Sequence, residues 1–187
     1  MQAVAEKGYA RVVVADVIER AGVSRKTFYE QFANKEECFL AAYDAGVDQL
    51  LAAIDGALAE AAPDWLAAAR RAVEVYLATM AAGPAFARAC LIEVLGAGPA
   101  ALARRDVVQA RFADQLAAIH RRARADLPDI PAVGPHTFRA AVGAVNELVT
   151  AHVLEHGAAT LPDLTEAILD VHLALLVGRE MATRLAG

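Results

Sequence analysis

The chain has 187 residues, of which 57% are hydrophobic and 22% are charged, and its formal net charge is −5 at pH 7. This composition excludes a disordered polar chain, and the 12 glycines and 7 prolines exclude a collagen-like or low-complexity sequence. The acidic balance excludes a protein that binds nucleic acid through bulk positive charge. Residues 1–43 hold equal numbers of basic and acidic side chains, so the excess of acid lies behind them.

Two cysteines, Cys38 and Cys90, are too few for a disulfide framework. We therefore expect a reduced, intracellular and specifically cytoplasmic setting. No charged-then-apolar leader opens the sequence. The longest uncharged stretch near the middle, residues 75–87, contains Gly83-Pro84 and is too short to span a bilayer. We expect no membrane partner.

The front of the chain predicts two short helices joined by a tight turn. Val14, Val17 and Ile18 share one helical face with Ala21. Gly22 can adopt the positive φ that ends a first helix, and Ser24 can cap a second one over residues 25–31. The inner side of that second helix carries Phe28 and Phe32.

The rest of the chain also predicts helices, with no β alternation of useful length, so the fold class is all-α. A long helix starts near Lys35, where Asn34 and Glu37 have the spacing of a capping box. Breaks at proline and glycine separate further helices over about 64–82, 85–95, 100–125, 136–156 and 162–185. We divide the chain into residues 1–43 and 44–187, although the long helix belongs to both units.

Two short helices joined by a four-residue glycine turn form a helix-turn-helix pattern. Such a motif places its second helix in the major groove of DNA, with N-terminal side chains against base edges. Arg25 lies where it can read guanine, and Lys26 can read a base or contact phosphate. Thr27 and Tyr29 offer hydroxyls to phosphate oxygens, and Lys35 can reach the backbone from the next helix.

The motif is bracketed by further elements, and the full set is Gly8-Tyr9, Val17-Ile18, Ala21-Gly22-Val23-Ser24, Thr27-Phe28-Tyr29, Phe32 and Asn34-Lys35-Glu36. Together these residues resemble the DNA-binding domain of TetR-family transcriptional regulators. The resemblance covers residues 1 to about 43. The number and spacing of the rear helices also resemble the ligand-binding and dimerising domain of that family.

The resemblance implies a homodimer that binds a near-palindromic double-stranded operator, with repression relieved when a small molecule binds the rear domain. It implies DNA contacts by Ser24, Arg25, Lys26, Thr27, Tyr29 and Lys35, and Arg11 is a possible additional phosphate contact. Half-sites roughly 34–36 Å apart would match the two heads.

Three departures from the family pattern concern DNA affinity. Lys26 stands where a small residue is usual, and Gln31 stands where an aromatic residue or histidine is usual. The helix before Gly8 is short, since only residues 1–7 precede it. Two interpretations stay open: a native start upstream of Met1, or a helical dimer that binds small molecules and has weak or lost DNA binding.

The rear helices predict an apolar pocket for an effector of unknown identity. The candidate lining residues are Trp65, Tyr76, Met80, Phe86, Cys90, Phe112, Phe138 and Asn146, each with plain core packing as the alternative. Asn146, Glu147 and Glu93 are polar groups in apolar stretches and need partners.

The last two helices carry apolar stripes: Phe138, Val142, Val145 and Val149 on one, and Leu164, Ile168, Val171 and Leu175 on the other. Two such helices per chain can form a four-helix interface with a second copy, and the alternative is that both stripes are internal. The family resemblance favours the homodimer.

His152 and His156 lie one helical turn apart, as a zinc site would require, but the sequence offers no convincing third ligand. No catalytic triad, P-loop or glycine-rich nucleotide motif is present. We therefore predict no enzyme activity, no cofactor and no metal.

Overall fold

The computed structural model describes residues 1–61 and 64–178, and these residues form helices without any β-strand. The helices are α1 (Gln2–Lys7), α2 (Val14–Ala21), α3 (Arg25–Gln31), α4 (Lys35–Glu60), α5 (Trp65–Ala82), α6 (Pro84–Leu91), α7 (Pro99–Asp126), α8 (Pro135–His156) and α9 (Thr165–Leu176). Two 3-10 turns lie at Glu93–Gly96 and Leu161–Leu164. The all-α prediction is confirmed. Within the described ranges, no helix is long and apolar enough to cross a membrane.

Helices α1–α3 form a head with the predicted helix-turn-helix geometry. Gly22 adopts φ 66° after α2, the left-handed conformation that glycine enters without a steric penalty. The Ser24 hydroxyl oxygen accepts a hydrogen bond from the Thr27 N–H at 3.0 Å and so caps α3. Phe28 is buried, and its ring centroid lies 5.6 Å from that of Phe32. Helix α3 is therefore fixed from its inner side.

Helix α4 connects this head to the rest of the molecule without interruption. The Asn34 side-chain oxygen accepts a hydrogen bond from the Glu37 N–H at 2.9 Å, and the Glu37 carboxylate accepts one from the Ala33 N–H at 2.6 Å. In the predicted capping box, Glu37 would accept from the backbone N–H of Asn34. It accepts instead from the N–H of Ala33, one residue earlier. Buried side chains follow α4 from Phe39 to Ala57, so one stripe of this helix packs against both head and body.

The body consists of α5–α9 packed around the rear of α4. Polar pairs join α4 to α7 along their outer edges: Asp44 with Arg104 at 3.4 Å, Asp48 with Arg111 at 2.8 Å, and Asp55 with Gln115 at 2.6 Å. Both sets of residue numbers rise together, so the two helices run in the same direction.

The helix bounds agree with the sequence prediction to within a few residues, except in the last segment. The predicted helix over 162–185 is a 3-10 turn followed by α9, and its part beyond Gly178 lies outside the described residues. Leu102, which periodicity places on the inner face of α7, is 46% exposed.

The predicted interface stripes are largely internal, in agreement with the alternative interpretation. Phe138, Val149 and Ile168 are buried within this chain, while Val142 and Val145 line a cavity. Only Leu175 of the two stripes is exposed. A homodimer through the last two helices stays a prediction, but most of these stripe residues already pack inside this chain.

Candidate DNA-binding head and ligand cavity

The outer face of α3 presents the predicted DNA-contacting side chains. Arg25, Lys26 and Thr27 are exposed, and Tyr29 is 46% exposed. The Arg25 guanidinium lies 5.5 Å from the centroid of the Tyr29 ring, and the Lys26 Nζ lies 3.8 Å from a Glu30 carboxylate oxygen. Both contacts are at the surface, where such interactions contribute little. Both cations therefore remain accessible to a polyanion.

Lys35 and Arg11, the two predicted phosphate contacts outside α3, both bond to backbone carbonyls. The Lys35 ammonium donates to the Tyr9 carbonyl at 2.9 Å and lies 4.3 Å from the centroid of the Tyr9 ring. The Arg11 Nε donates to the Lys7 carbonyl at 2.6 Å. Lys35 thus holds the loop between α1 and α2 in addition to any role towards DNA.

The N-cap residue of α2 is Val13, which is 55% exposed and offers no polar side chain. The Asp16 carboxylate compensates, because it accepts a hydrogen bond from the Val13 N–H at 2.9 Å. The same carboxylate pairs with Lys7 at 2.6 Å. The bond from Lys7, followed by that from Val13, holds the pKa of Asp16 below its usual range. Asp16 therefore supplies the N3 half of a capping box, the bond to the backbone N–H of the N-cap residue.

Tyr9 lies where the head meets the body, and both polar atoms of its backbone are engaged. Its N–H donates to Glu93 Oε2 at 2.8 Å, while its carbonyl accepts from Lys35. Glu93 also lies 3.3 Å from the Arg88 Nε, so this carboxylate has the partners that its apolar sequence setting requires. Gly8, the residue before Tyr9, has φ 79°. Glycine adopts this positive φ without the steric penalty that a Cβ atom would bring. We call Tyr9, Lys35, Arg88 and Glu93 the head–body joint.

The body contains an apolar cavity of about 140 Å³ bounded by α4–α9. Six of the eight predicted pocket residues line it: Tyr76, Met80, Phe86, Cys90, Phe112 and Asn146. The other two, Trp65 and Phe138, lie in a separate buried cluster, where the Phe138 ring packs against His120 at 5.4 Å. An aromatic residue at a core spacing does not reveal whether its neighbour is protein or empty space.

Five polar lining residues of the cavity were not predicted: Tyr43 on α4, Arg105, Gln109 and Gln115 on α7, and His172 on α9. Arg105 precedes Val108 by three residues and Phe112 by seven, so it continues the inner face of α7. A charged residue at such an inner position is the signal that could have indicated it. Burial lowers the pKa of His172 to about 4, so its imidazole is neutral near pH 7.

Burial raises the pKa of Cys90, which leaves its thiol protonated and weakly nucleophilic. Both Cys38 and Cys90 are free.

Asn146 faces the cavity, whereas Glu147 is exposed to solvent. The His152 ring bonds to the Thr160 hydroxyl at 2.8 Å and packs against His156. Residues 1–61 and 64–178 contain no group of three or more side chains placed to hold a metal ion.

The close approach of α6 to α4 depends on Gly46. A Cβ atom at this position would lie 2.2 Å from Phe86 Cε2 and 2.6 Å from its Cδ2. Since real Cβ contacts below 3.0 Å essentially do not occur, only glycine fits without displacement of the ring. Phe86 in turn forms part of the cavity wall.

The fold and these two sites define a helix-turn-helix head carried on a helical body with an internal cavity. Residues 1–42 match the family model described as bacterial regulatory proteins, tetR family. The chain is 34% identical over 83 residues to the HTH-type transcriptional regulator EthR of Mycolicibacterium smegmatis. That alignment covers 44% of this chain and 38% of the relative.

Two solved structures share the fold over nearly the whole chain. The fatty acid degradation regulator FadR from Bacillus halodurans has a TM-score of 0.81 at 21% identity, and covers 95% of this chain and 94% of its own. FadR from Bacillus subtilis, solved in complex with stearoyl-CoA, has the same TM-score at 18% identity, with the same coverage. The head is therefore similar to the DNA-binding domain of TetR-family regulators, and the chain as a whole shares the fold of the two FadR structures.

Proposed function

We propose that this protein is a DNA-binding repressor that is released from a near-palindromic operator when a small apolar ligand enters its cavity. The observation that carries the proposal is the continuity of α4, which starts beside the recognition helix and also forms a wall of the cavity. A ligand that changes the position of α4 therefore changes the position of α3. We assign the chain no catalytic activity and a cytoplasmic location.

The DNA contacts in this proposal follow from exposure and charge on the head. We assign base reading to Arg25, with Lys26 reading a base or a phosphate. Hydroxyls and backbone groups near the start of α3, together with the cations beside it, contact the phosphates. The full set is Arg11, Ser24, Arg25, Lys26, Thr27, Tyr29 and Lys35. In this proposal Lys35 contacts a DNA phosphate and also donates to the Tyr9 carbonyl. Its substitution would therefore change the head–body joint as well as DNA binding.

A second copy of the chain would pair through the outward faces of α8 and α9. Leu154 is 62% exposed, Leu175 is 42% exposed and Leu148 is 36% exposed. Large apolar side chains on adjacent exposed helix faces support an isologous contact. Leu154 lies on the far side of α8 from the buried stripe that contains Phe138 and Val149.

Release requires that the ligand bind the form with displaced heads more tightly than the DNA-binding form, because equal affinities shift no equilibrium. The cavity walls support an apolar ligand, since aliphatic and aromatic side chains form most of the lining. Bacillus subtilis FadR, a protein of this fold, was solved with stearoyl-CoA, and the acyl tail of that molecule is apolar.

The test is selection of bound fragments from a random pool of double-stranded DNA at two salt concentrations. We expect a recovered palindrome and steeply weaker binding at the higher salt, because phosphate contacts release counterions. Arg25→Ala should weaken binding to the palindrome more than to scrambled DNA. Arg121→Ala, which removes the same charge from the exposed end of α7, is the matched control and should leave binding unchanged.

Failure to enrich any sequence would contradict the proposed DNA binding and favour a helical dimer that only binds small molecules. If Arg25→Ala loses the same affinity for palindromic and scrambled DNA, Arg25 does not read a base. That result would leave the rest of the proposal unchanged.

A further inference from the structure

Arg105 is a cation on the cavity wall, and it has no acidic partner among the residues that the structure describes. Its neighbours on the outer side of α7 are paired, Arg104 with Asp44 and Arg111 with Asp48. Arg105 forms no ion pair with any carboxylate in residues 1–61 or 64–178, and no aspartate or glutamate lines the cavity. The cavity therefore combines apolar walls with one uncompensated positive charge.

Gln109 holds the Arg105 side chain without neutralising it. With the Gln109 amide turned so that its oxygen faces the guanidinium, that oxygen accepts hydrogen bonds from Nη2 at 2.8 Å and Nη1 at 3.0 Å. Both residues line the cavity one helical turn apart. A half-buried guanidinium has lost part of its hydration, and an anion that accepts its remaining N–H groups would replace that hydration.

Two further hydrogen-bonding groups line the same cavity. Neither the Tyr43 nor the Tyr76 hydroxyl forms a hydrogen bond with another residue in the part of the chain that the structure describes. Burial raises the pKa of both phenols, so both remain protonated donors at neutral pH. The charge of Arg105 acts in the opposite direction on Tyr43, as expected for a cation near that ring.

We propose that the cavity binds a monocarboxylic acid with an unbranched apolar tail, whose carboxylate pairs with Arg105 and accepts hydrogen bonds from the two tyrosine hydroxyls. The tail would follow α4 from Tyr43 to Ile54, about 16 Å at the rise of an α-helix. The cavity of about 140 Å³ is lined along this whole stretch of α4, which favours an elongated ligand. This inference rests on the proposed ligand-binding function and specifies the head group that the ligand carries.

The test compares ligands of one tail length by isothermal titration calorimetry: decanoate, decanol and decanoyl-coenzyme A. We expect the wild-type protein to bind decanoate at least about tenfold more tightly than decanol, since a hydrogen bond to a charged group adds this much or more. Arg105→Gln should weaken decanoate binding by about ten- to a hundredfold and leave decanol binding unchanged. Arg105→Lys should keep a preference for decanoate, because it retains the charge.

Arg104→Gln is the matched control, because it removes a neighbouring charge that faces Asp44 instead of the cavity. It should leave the affinity for decanoate unchanged. A urea unfolding curve for each variant verifies that the protein remains folded under the titration conditions.

The possible outcomes separate this inference from the proposed function. Equal binding of decanoate and decanol, or a normal decanoate affinity for Arg105→Gln, overturns the carboxylate assignment and leaves the cavity as a ligand site. Binding of decanoyl-coenzyme A alone, unaffected by Arg105→Gln, also overturns it and assigns recognition to the nucleotide portion. No binding of any of the three probes overturns both the inference and the proposed ligand-binding function.

Discussion

Replacing Gly46 by alanine should push Phe86 out of its place between α4 and the cavity. The added Cβ would lie within 2.2–3.0 Å of three ring carbons of Phe86, so the ring or the helix has to move. Inserting a methyl group into a packed core typically costs about 1–3 kcal/mol. Alanine also stabilises a helix interior by about 0.5–1 kcal/mol relative to glycine, which offsets part of that cost.

Gly56 on the same helix provides the control that isolates the clash. A Cβ there meets nothing within 4 Å, so Gly56→Ala should raise the free energy of unfolding by about 0.5–1 kcal/mol. Both variants gain the same helix preference, and the difference between them should therefore equal the packing cost at Gly46, about 1–3 kcal/mol. Urea unfolding at one protein concentration measures both values. Equal stabilities of the two variants would refute the packing argument.

Three further predictions concern the cap of α3, the head–body joint and His172 in the cavity wall. Ser24→Ala should lower the free energy of unfolding by about 1 kcal/mol through loss of the N-cap, and Ser24→Thr should restore most of it in the same urea assay. Glu93→Ala leaves the Tyr9 N–H without its acceptor and should cost about 1–3 kcal/mol, measured by thermal unfolding with exposed Glu155→Ala as the comparison. The pKa of His172 falls from 6.5 unfolded to about 4 folded. Protonation therefore favours the unfolded chain, and stability should fall as pH drops from about 6.5 to 4. His172→Phe should flatten this slope, and an unchanged slope would remove His172 as its cause.

The head could be predicted from the sequence because its signals are local. Gly22 and Ser24 lie within four residues of the backbone groups they serve, and α3 occupies residues 25–31 as predicted. The contact between Lys35 and Tyr9 could not be inferred from spacing, since it joins residues 26 positions apart. Its components were visible only as part of the motif that resembles the family.

The cavity could be predicted only in part, because apolar periodicity identifies an inner face without distinguishing core from empty space. Tyr76 and Phe138 carry the same signal, yet one lines the cavity and the other packs in a closed cluster. Arg105 was missed for the opposite reason. A charge on a long, highly charged helix is expected to face solvent until the neighbouring helices show what it faces.

The uninterrupted helix between head and body also restricts the DNA that a dimer could accept. Since α4 runs from Lys35 to Glu60 without a break and Tyr9 is bonded on both sides, no flexible linker lies between the recognition helix and the body. One inserted base pair moves a half-site by about 3.4 Å along the duplex axis and rotates it around that axis. A head that is joined rigidly to the body cannot follow such a shift. The operator should therefore tolerate base changes at its centre far better than insertions there.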